Sequence, residues 1–207
     1  MDIIRPRLTD YHGIHKNQAD LDFAIQFFDE DIPLYVDPFL LWKSPSQQDN
    51  ALYTTITNSF NHLNYLIKKK QEDEALSILI DISECHEVGL GVSKTRKGTK
   101  ISEKQAQDIL SLFKDIPEYS QFGFTHFEII QLYIAGISKD RISDITCNYL
   151  KSFLIDYTIE QCEINKIPTE GVILDSIYNY KTNKLDTNQK VYLPVNPLTK
   201  EPLIFTP

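Results

Sequence analysis

The stretch that decides the fold is GISKDRISDITCNYLKSFLIDYTIEQC, residues 136–162. Its second half is apolar over most of a helical surface, because Phe153, Leu154 and Tyr157 leave little of that surface polar. Its first half carries a dense block of polar and charged side chains. We predict one helix, the longest of the chain, with Ser138 as its N-cap and with deep burial. Burial of the first half would require partners for its charges.

The charged block forms a pattern on that helix. Asp140, Asp144 and Asn148 are four residues apart and therefore share one face, which Arg141 flanks. Such a row of oxygen atoms could bind a divalent cation such as Mg²⁺, or position a phosphate beside the helix N-terminus. The alternative is a solvated face with an Arg141–Asp144 ion pair. The segment EIIQLYIAGISKDRISDI also resembles the first part of a helix-turn-helix motif, although its mostly acidic exposed face disfavours DNA binding.

Four further helices are predicted before this one. The first is the clearest, since Leu52 and Ile56 begin an apolar stripe with helical spacing and Ser46 can cap the first turn. The third begins at a capping box, with Ser102 three residues before Gln105. These signals favour a helical body.

The two ends of the chain differ from the body. The segment IPLYVDP, residues 32–38, predicts a short extended segment, and the polar turn Asn183–Lys184 predicts a C-terminal hairpin. We therefore predict an α+β fold that is mainly α, with about five helices. We divide the chain into a loosely ordered arm (1–20), a mainly helical domain (21–167), and the hairpin with its tail (168–207).

Composition limits the class of protein. The chain has 207 residues, 42% of them hydrophobic, with eleven Tyr and eleven Phe, so it can bury a core without disulfides. A net charge of -8 disfavours nucleic-acid binding by the chain as a whole but leaves a local basic patch open. Three cysteines without a CxxC pair, no signal segment and no membrane-spanning run predict a cytoplasmic protein. The apolar ending Leu203–Phe205 indicates either docking on the body or a longer natural chain.

The loop EVGLGVSKTRKGTK, residues 87–100, is the strongest basic patch. Gly89 and Gly91 allow a ligand to approach the backbone closely, yet no nucleotide-binding fingerprint is present. One interpretation is a mobile loop that contacts a nucleotide or nucleic acid, and the other is a flexible surface loop. In the first interpretation, the phosphate-binding side chains are Ser93, Lys94, Arg96, Lys97 and Arg141.

Clustered carboxylates suggest a second hypothesis, a metal-dependent phosphodiesterase or nuclease. Glu87, Asp140 and Asp144, with Asp37, would gather Mg²⁺ for phosphodiester hydrolysis. Asp37 lies before Pro38, a position that is equally typical of a turn. The hypothesis requires the carboxylates to converge within about 5 Å of one another.

Four stretches resemble a group of uncharacterised bacterial proteins. They are DEDIPLYVDPFLLW, SECHEVGLGVSKTRKGTKI, GISKDRISDITCNYLKSFLIDYTIEQC and LPVNPLTKEPLIFTP, which together cover most of the chain from residue 29 onward. Some members of that group continue into a restriction-endonuclease-like region. The resemblance implies a role in phage defence or DNA restriction, with this chain as a region that lacks the nuclease motif.

Three functions follow from these observations. The first is a non-catalytic region of a bacterial defence protein that binds a nucleic acid or nucleotide through residues 89–100 and 140–148. The second is the metal-dependent enzyme. The third is an interaction module whose aromatic surface docks a protein partner or a second copy of the chain.

Overall fold

The computed structural model describes residues 7–94, 96 and 98–207. Over these residues the chain forms nine α-helices, followed by one antiparallel pair of strands. The mainly helical α+β class is therefore confirmed. The elements are α1 (Leu8–Tyr11), α2 (Pro38–Lys43), α3 (Gln47–Lys68), α4 (Glu72–Asp81), α5 (Glu103–Asp115), α6 (Pro117–Phe122), α7 (Ile130–Tyr133), α8 (Lys139–Tyr149), α9 (Lys151–Asn165), β1 (Glu170–Asn179) and β2 (Lys184–Leu193).

Helices α1, α2 and α6 are additional to the predicted ones, whereas α7 is a short form of the helix predicted before Gly136. Four of the nine, α1, α2, α6 and α7, have only four to six residues, too few to show a helical period in the sequence. Helix α2 has a local signature nonetheless. Asp37 is its N-cap and accepts a hydrogen bond from the Phe39 amide, and Pro38 occupies the first helical position.

The longest helix is α3, with 22 residues. Ser46 caps it as predicted and accepts a hydrogen bond from the Asp49 amide at 3.3 Å. Its apolar stripe is buried at Ile56, Phe60 and Leu63, which belong to the main core together with side chains of α4, α5 and α8.

The helix predicted from residue 138 is two helices, and the prediction that it is the longest is wrong. It ends as α8 and restarts as α9 at Leu150, whose φ and ψ are −93° and 3°. No Gly or Pro marks this break. Within α8, the Thr146 hydroxyl donates to the Ile142 carbonyl, a contact that bends helices. From Ile142 to Tyr149 every residue of α8 is buried, so this part of the helix presents no face to a DNA groove.

The C-terminal hairpin is confirmed. Its strands pair in register from Glu170 opposite Leu193 to Asn179 opposite Lys184. Asn183 adopts the left-handed conformation in the turn, with φ 54°, which Asn tolerates better than most residues.

The C-terminal tail packs against residues near the N-terminus. Leu203, Ile204 and Phe205 are fully buried, so the tail docks on the body. The Phe205 ring stacks on Phe23 with ring centroids 4.4 Å apart, and its amide donates to the Thr158 hydroxyl at 2.8 Å. The extended segment after residue 31 forms only an isolated parallel bridge between Ile32 and Leu90.

The N-terminal residues are described from residue 7. Leu8 is fully buried in the same small cluster as Phe23 and Phe205, and its amide donates to the Gln26 carbonyl. Residues 1–6 of the predicted arm lie outside the described residues. Cys85, Cys147 and Cys162 are free and buried. In the described part of the chain, no helix is long and apolar enough to cross a membrane.

Candidate functional site

The 87–100 loop packs against the start of α8. A Cβ atom placed on Gly91 would lie 2.6 Å from Oδ1 of Asp140. Arg141 reaches back to the segment before the loop, where Nη1 lies 3.0 Å from Oε2 of Glu84. Two segments about fifty residues apart in sequence therefore form one polar junction, which we call the loop–α8 junction.

The glycines of this loop make room for the protein's own charged side chains. Gly89, with φ 60°, has the Arg96 guanidinium against it, and a Cβ there would lie 2.1 Å from Nη1. Gly98 has the Glu84 carboxylate against it, and a Cβ placed on Gly98 would lie 1.9 Å from Oε1 of Glu84. As with Gly91, the space that glycine leaves open is filled from within the chain. A phosphate therefore has no free backbone cradle at these glycines.

Arg96 is a structural residue. Its side chain is buried and Nη1 donates to the Phe27 carbonyl at 2.9 Å, so it is not at the surface where a phosphate would meet it. Lys94 is exposed. The Ser93 carbonyl accepts from the Asp31 amide at 2.9 Å. Lys97 lies outside the described residues.

Arg141, at the start of α8, contacts the carboxyl groups of both Glu84 and Asp144. Nη1 of Arg141 lies 3.0 Å from Oε2 of Glu84 and 3.2 Å from Oδ2 of Asp144, and it also donates to the Ser83 carbonyl. Burial raises the pKa of Asp144 to about 8, and the Glu84 carboxylate adds to this while Arg141 opposes it. Asp144 therefore holds a proton at neutral pH, and Arg141 is already occupied.

The other predicted ligand on this face, Asn148, holds α8 to the turn after α4. Its amide nitrogen donates to the carbonyls of Ile82 and Glu84, both at 2.8 Å. One turn earlier, the Ser143 hydroxyl accepts from the Val36 amide at 2.9 Å. The polar side chains of α8 therefore form hydrogen bonds and ion pairs with other segments of the chain, and these segments are the partners that its burial requires.

Asp37 and Glu87 do not join the carboxylates of α8 in one site. Asp37 caps α2. Glu87 is buried and contacts Nζ of Lys151 at 3.1 Å. Burial acts to raise the pKa of Glu87, but Lys151 and His86 outweigh it, and the pKa lies below its ordinary value. Among residues 7–94, 96 and 98–207, no three His, Cys, Asp or Glu side chains converge as metal ligands.

Asp31 is a member of the junction that sequence reasoning missed. Burial raises its pKa to about 6, Arg96 opposes the rise, and the carboxylates of Glu84 and Asp140 add to it. Its position at the end of the acidic run DED was visible in the sequence. Its proximity to α8 could not be seen in the sequence. That proximity depends on the bridge between Ile32 and Leu90, which brings Asp31 to the loop that packs against α8.

A second feature, unlike the junction, is open and apolar. A cavity of about 320 Å³ lies beside α2, and one of about 280 Å³ lies between α3 and α9. They share Leu52, Leu150 and Phe153 and so form one depression, which we call the α3–α9 groove. Its further lining residues are Ala24, Leu34, Tyr35, Val36, Asp37, Leu40, Leu41, Gln48, Asp49, Ala51, Thr55, Leu90, Cys147, Tyr149, Ser152, Leu154, Asp156, Tyr180, Thr206 and Pro207.

The groove combines apolar walls with unsatisfied or acidic groups. Leu34 and Leu40, at one end, are 51% and 66% exposed. Tyr149 lines the other end, and its hydroxyl is buried without a hydrogen-bond partner among the described residues. The break at Leu150 contributes to the floor. Sequence reasoning missed the groove because that break has no sequence signal.

The chain is therefore a mainly helical protein with a C-terminal hairpin, and it carries one polar feature, the loop–α8 junction, and one apolar feature, the α3–α9 groove. Residues 13–207 match the family described as Domain of unknown function (DUF8370), and the chain belongs to that family. No curated protein and no solved structure matches the chain. The membership agrees with the resemblance to an uncharacterised group, and the family description names no activity.

Proposed function

We propose that this chain is a non-catalytic recognition region of a bacterial defence protein, and that it binds an apolar partner in the α3–α9 groove. The observation that supports this most is the groove itself. It joins two cavities through Leu52, Leu150 and Phe153, and exposed leucines stand at its edge. Concave, mostly apolar sites with a few polar groups are where proteins bind ligands.

The loop–α8 junction supports binding less well. Its two arginines contact carbonyls and carboxylates of the chain, and its glycines are in contact with charged side chains. The nucleic-acid or nucleotide ligand is therefore a separate proposal that rests on exposed Lys94 and on Lys97. The metal-dependent hydrolysis hypothesis has no converging ligand set in the part of the chain that the structure describes.

The defence role rests on the resemblance to bacterial proteins that continue into a restriction-endonuclease-like region. A recognition region in such a protein would detect or hold a partner while another region acts. The groove supports this role, because exposed apolar surface beside a cavity is typical of surfaces that bind a partner.

A neutral fluorescent probe tests the groove. N-phenyl-1-naphthylamine becomes bright in apolar surroundings, and we expect saturable binding with one molecule per chain. Ala51→Trp places a large ring at an exposed position that lines the groove, and should weaken binding by at least about tenfold. Gln107→Trp, at an exposed position of α5, is the matched control and should bind like the wild type. Equal binding by both variants would contradict the proposal.

A further inference from the structure

The rim of the α3–α9 groove is acidic. Asp37 lies at the α2 end, Asp49 at the start of α3, and Asp156 on α9. Asp37 and Asp156 are exposed. Of the residues that the structure describes, no Lys or Arg lines either cavity. An occupant of this groove therefore meets apolar walls below and negative charge at the edges.

Helices α3 and α9 line most of the smaller cavity, and this limits the shape of the occupant there. The residues that α3 contributes run from Gln48 to Thr55, about two helical turns or 10 Å. On the opposite side, Phe153 and Asp156 are three residues apart and share one face of α9. Two helices that leave a trough between them provide the geometry in which a third helix packs, with side chains at i, i+3, i+4 and i+7 in the trough.

We propose that the occupant is an amphipathic helix of a partner protein, with an apolar face that enters the groove and Lys or Arg along both flanks. This inference rests on the proposed function, because it requires the groove to be a binding site. The apolar face would displace water from Leu52, Leu150 and Phe153. The flanking cations would lie near Asp37, Asp49 and Asp156, where opposite charge sets orientation and speeds association.

A pair of synthetic peptides provides the probe. Each has about 14 residues with Leu at helical spacing, and the remaining positions are Lys in one peptide and Glu in the other. We expect the Leu–Lys peptide to bind with one-to-one stoichiometry in calorimetry and the Leu–Glu peptide to bind at least about tenfold more weakly. Ala51→Trp should abolish binding of the Leu–Lys peptide.

Charge-matched variants separate the rim from the net charge of the protein. Asp37→Asn with Asp156→Asn should weaken the Leu–Lys peptide by on the order of tenfold at low salt. Asp73→Asn with Asp115→Asn removes the same charge from exposed positions outside the groove, and should stay within about twofold of the wild type. Equal weakening in the two double variants would show attraction to an acidic protein in general and would overturn the inference.

Three further outcomes also decide between occupants. If N-phenyl-1-naphthylamine binds in an Ala51→Trp-sensitive manner but the Leu–Lys peptide does not bind, the groove is a small-molecule site; the proposed function survives and the helix inference falls. If light scattering shows a dimer that Ala51→Trp abolishes, the occupant is a second copy of the chain, and the inference falls for that reason. If the naphthylamine fails as well, both fall together.

Discussion

Nζ of Lys151 lies 3.1 Å from Oε1 of Glu87, and these two side chains are only 4% and 7% exposed. The pair connects the first turn of α9 to the loop before the glycines. Because each charge is removed from water, each depends on the other. Removal of Lys151 therefore leaves the Glu87 carboxylate buried without its main compensating charge.

We expect Lys151→Met to lower the free energy of unfolding by about 3–5 kcal/mol, since it strands the Glu87 carboxylate. Denaturant unfolding followed by circular dichroism measures the loss. The double variant Lys151→Met with Glu87→Gln should lose less than the sum of the two single losses, because it removes both charges. Additive losses would show that the pair acts as two independent residues.

The raised pKa of Asp144 predicts a pH dependence. The folded protein holds a proton on this carboxyl up to about pH 8, whereas the unfolded chain releases it near 3.8. Stability from this group is therefore fully present at low pH and is lost as pH rises through 8. Between pH 7 and pH 9 we expect the wild type to lose about 1 kcal/mol more than Asp144→Asn.

Asp31 does not confuse that measurement, because its pKa of about 6 lies below the range used. Asp73→Asn, on the exposed start of α4, is the control and should follow the wild type across the same range. If Asp144→Asn and the wild type change in parallel, Asp144 is already ionised at pH 7 and its single shared cation suffices.

Gly91 allows α8 to approach the loop. We expect Gly91→Ala to destabilise the protein by about 1–3 kcal/mol, because its φ is 131° and the added Cβ would meet Oδ1 of Asp140. Gly171→Ala is the matched control. Its nearest neighbour is the flexible end of Lys190 at 3.2 Å, and we expect a much smaller change in thermal stability. A neutral Gly91→Ala would show that the loop moves away from α8 at little cost.

Sequence patterns predicted the parts of this fold that depend on local chemistry. The caps at Ser46 and Ser102, the stripe of α3 and the turn at Asn183 each depend on residues within one or two turns of one another. The break at Leu150 could not be predicted in this way, because no Gly or Pro accompanies it.

In the candidate site, too, the local features were predicted and the long-range contacts were not. The sequence indicated that the loop and the start of α8 carry polar groups that need partners, and it named Arg141, Asp144 and Asn148 among them. It could not show that the partners come from within the chain. Arg96 is the clearest case, since an Arg in a Gly- and Lys-rich loop is typical of an exposed residue, yet it reaches the Phe27 carbonyl 69 residues away.

The burial of Arg96 changes how charge reversal in the loop is interpreted. We expect Arg96→Glu to unfold the protein or lower its melting temperature sharply, because it puts a carboxylate among carbonyl oxygens. Lys94→Glu should melt like the wild type, since Lys94 is exposed. Thermal melts of the two variants check this.

The proposal that the loop binds nucleic acid is then tested with Lys94→Glu alone. Loss of affinity for a single-stranded oligonucleotide, with unchanged melting, would support it. Retention of wild-type affinity, or no affinity in the wild type, would remove the loop from consideration as a phosphate-binding segment.

The docked tail has a consequence for biosynthesis. Phe23 and Phe205 stack on each other, so the layer around Leu8 cannot close until almost the whole domain has left the ribosome. During translation, Leu8 and Phe23 stay without these packing partners until the tail is made. Exposed apolar side chains of this kind are what chaperones of nascent chains bind. We expect premature termination before residue 203 to destabilise this layer, because the truncated chain would lack Leu203 and Phe205.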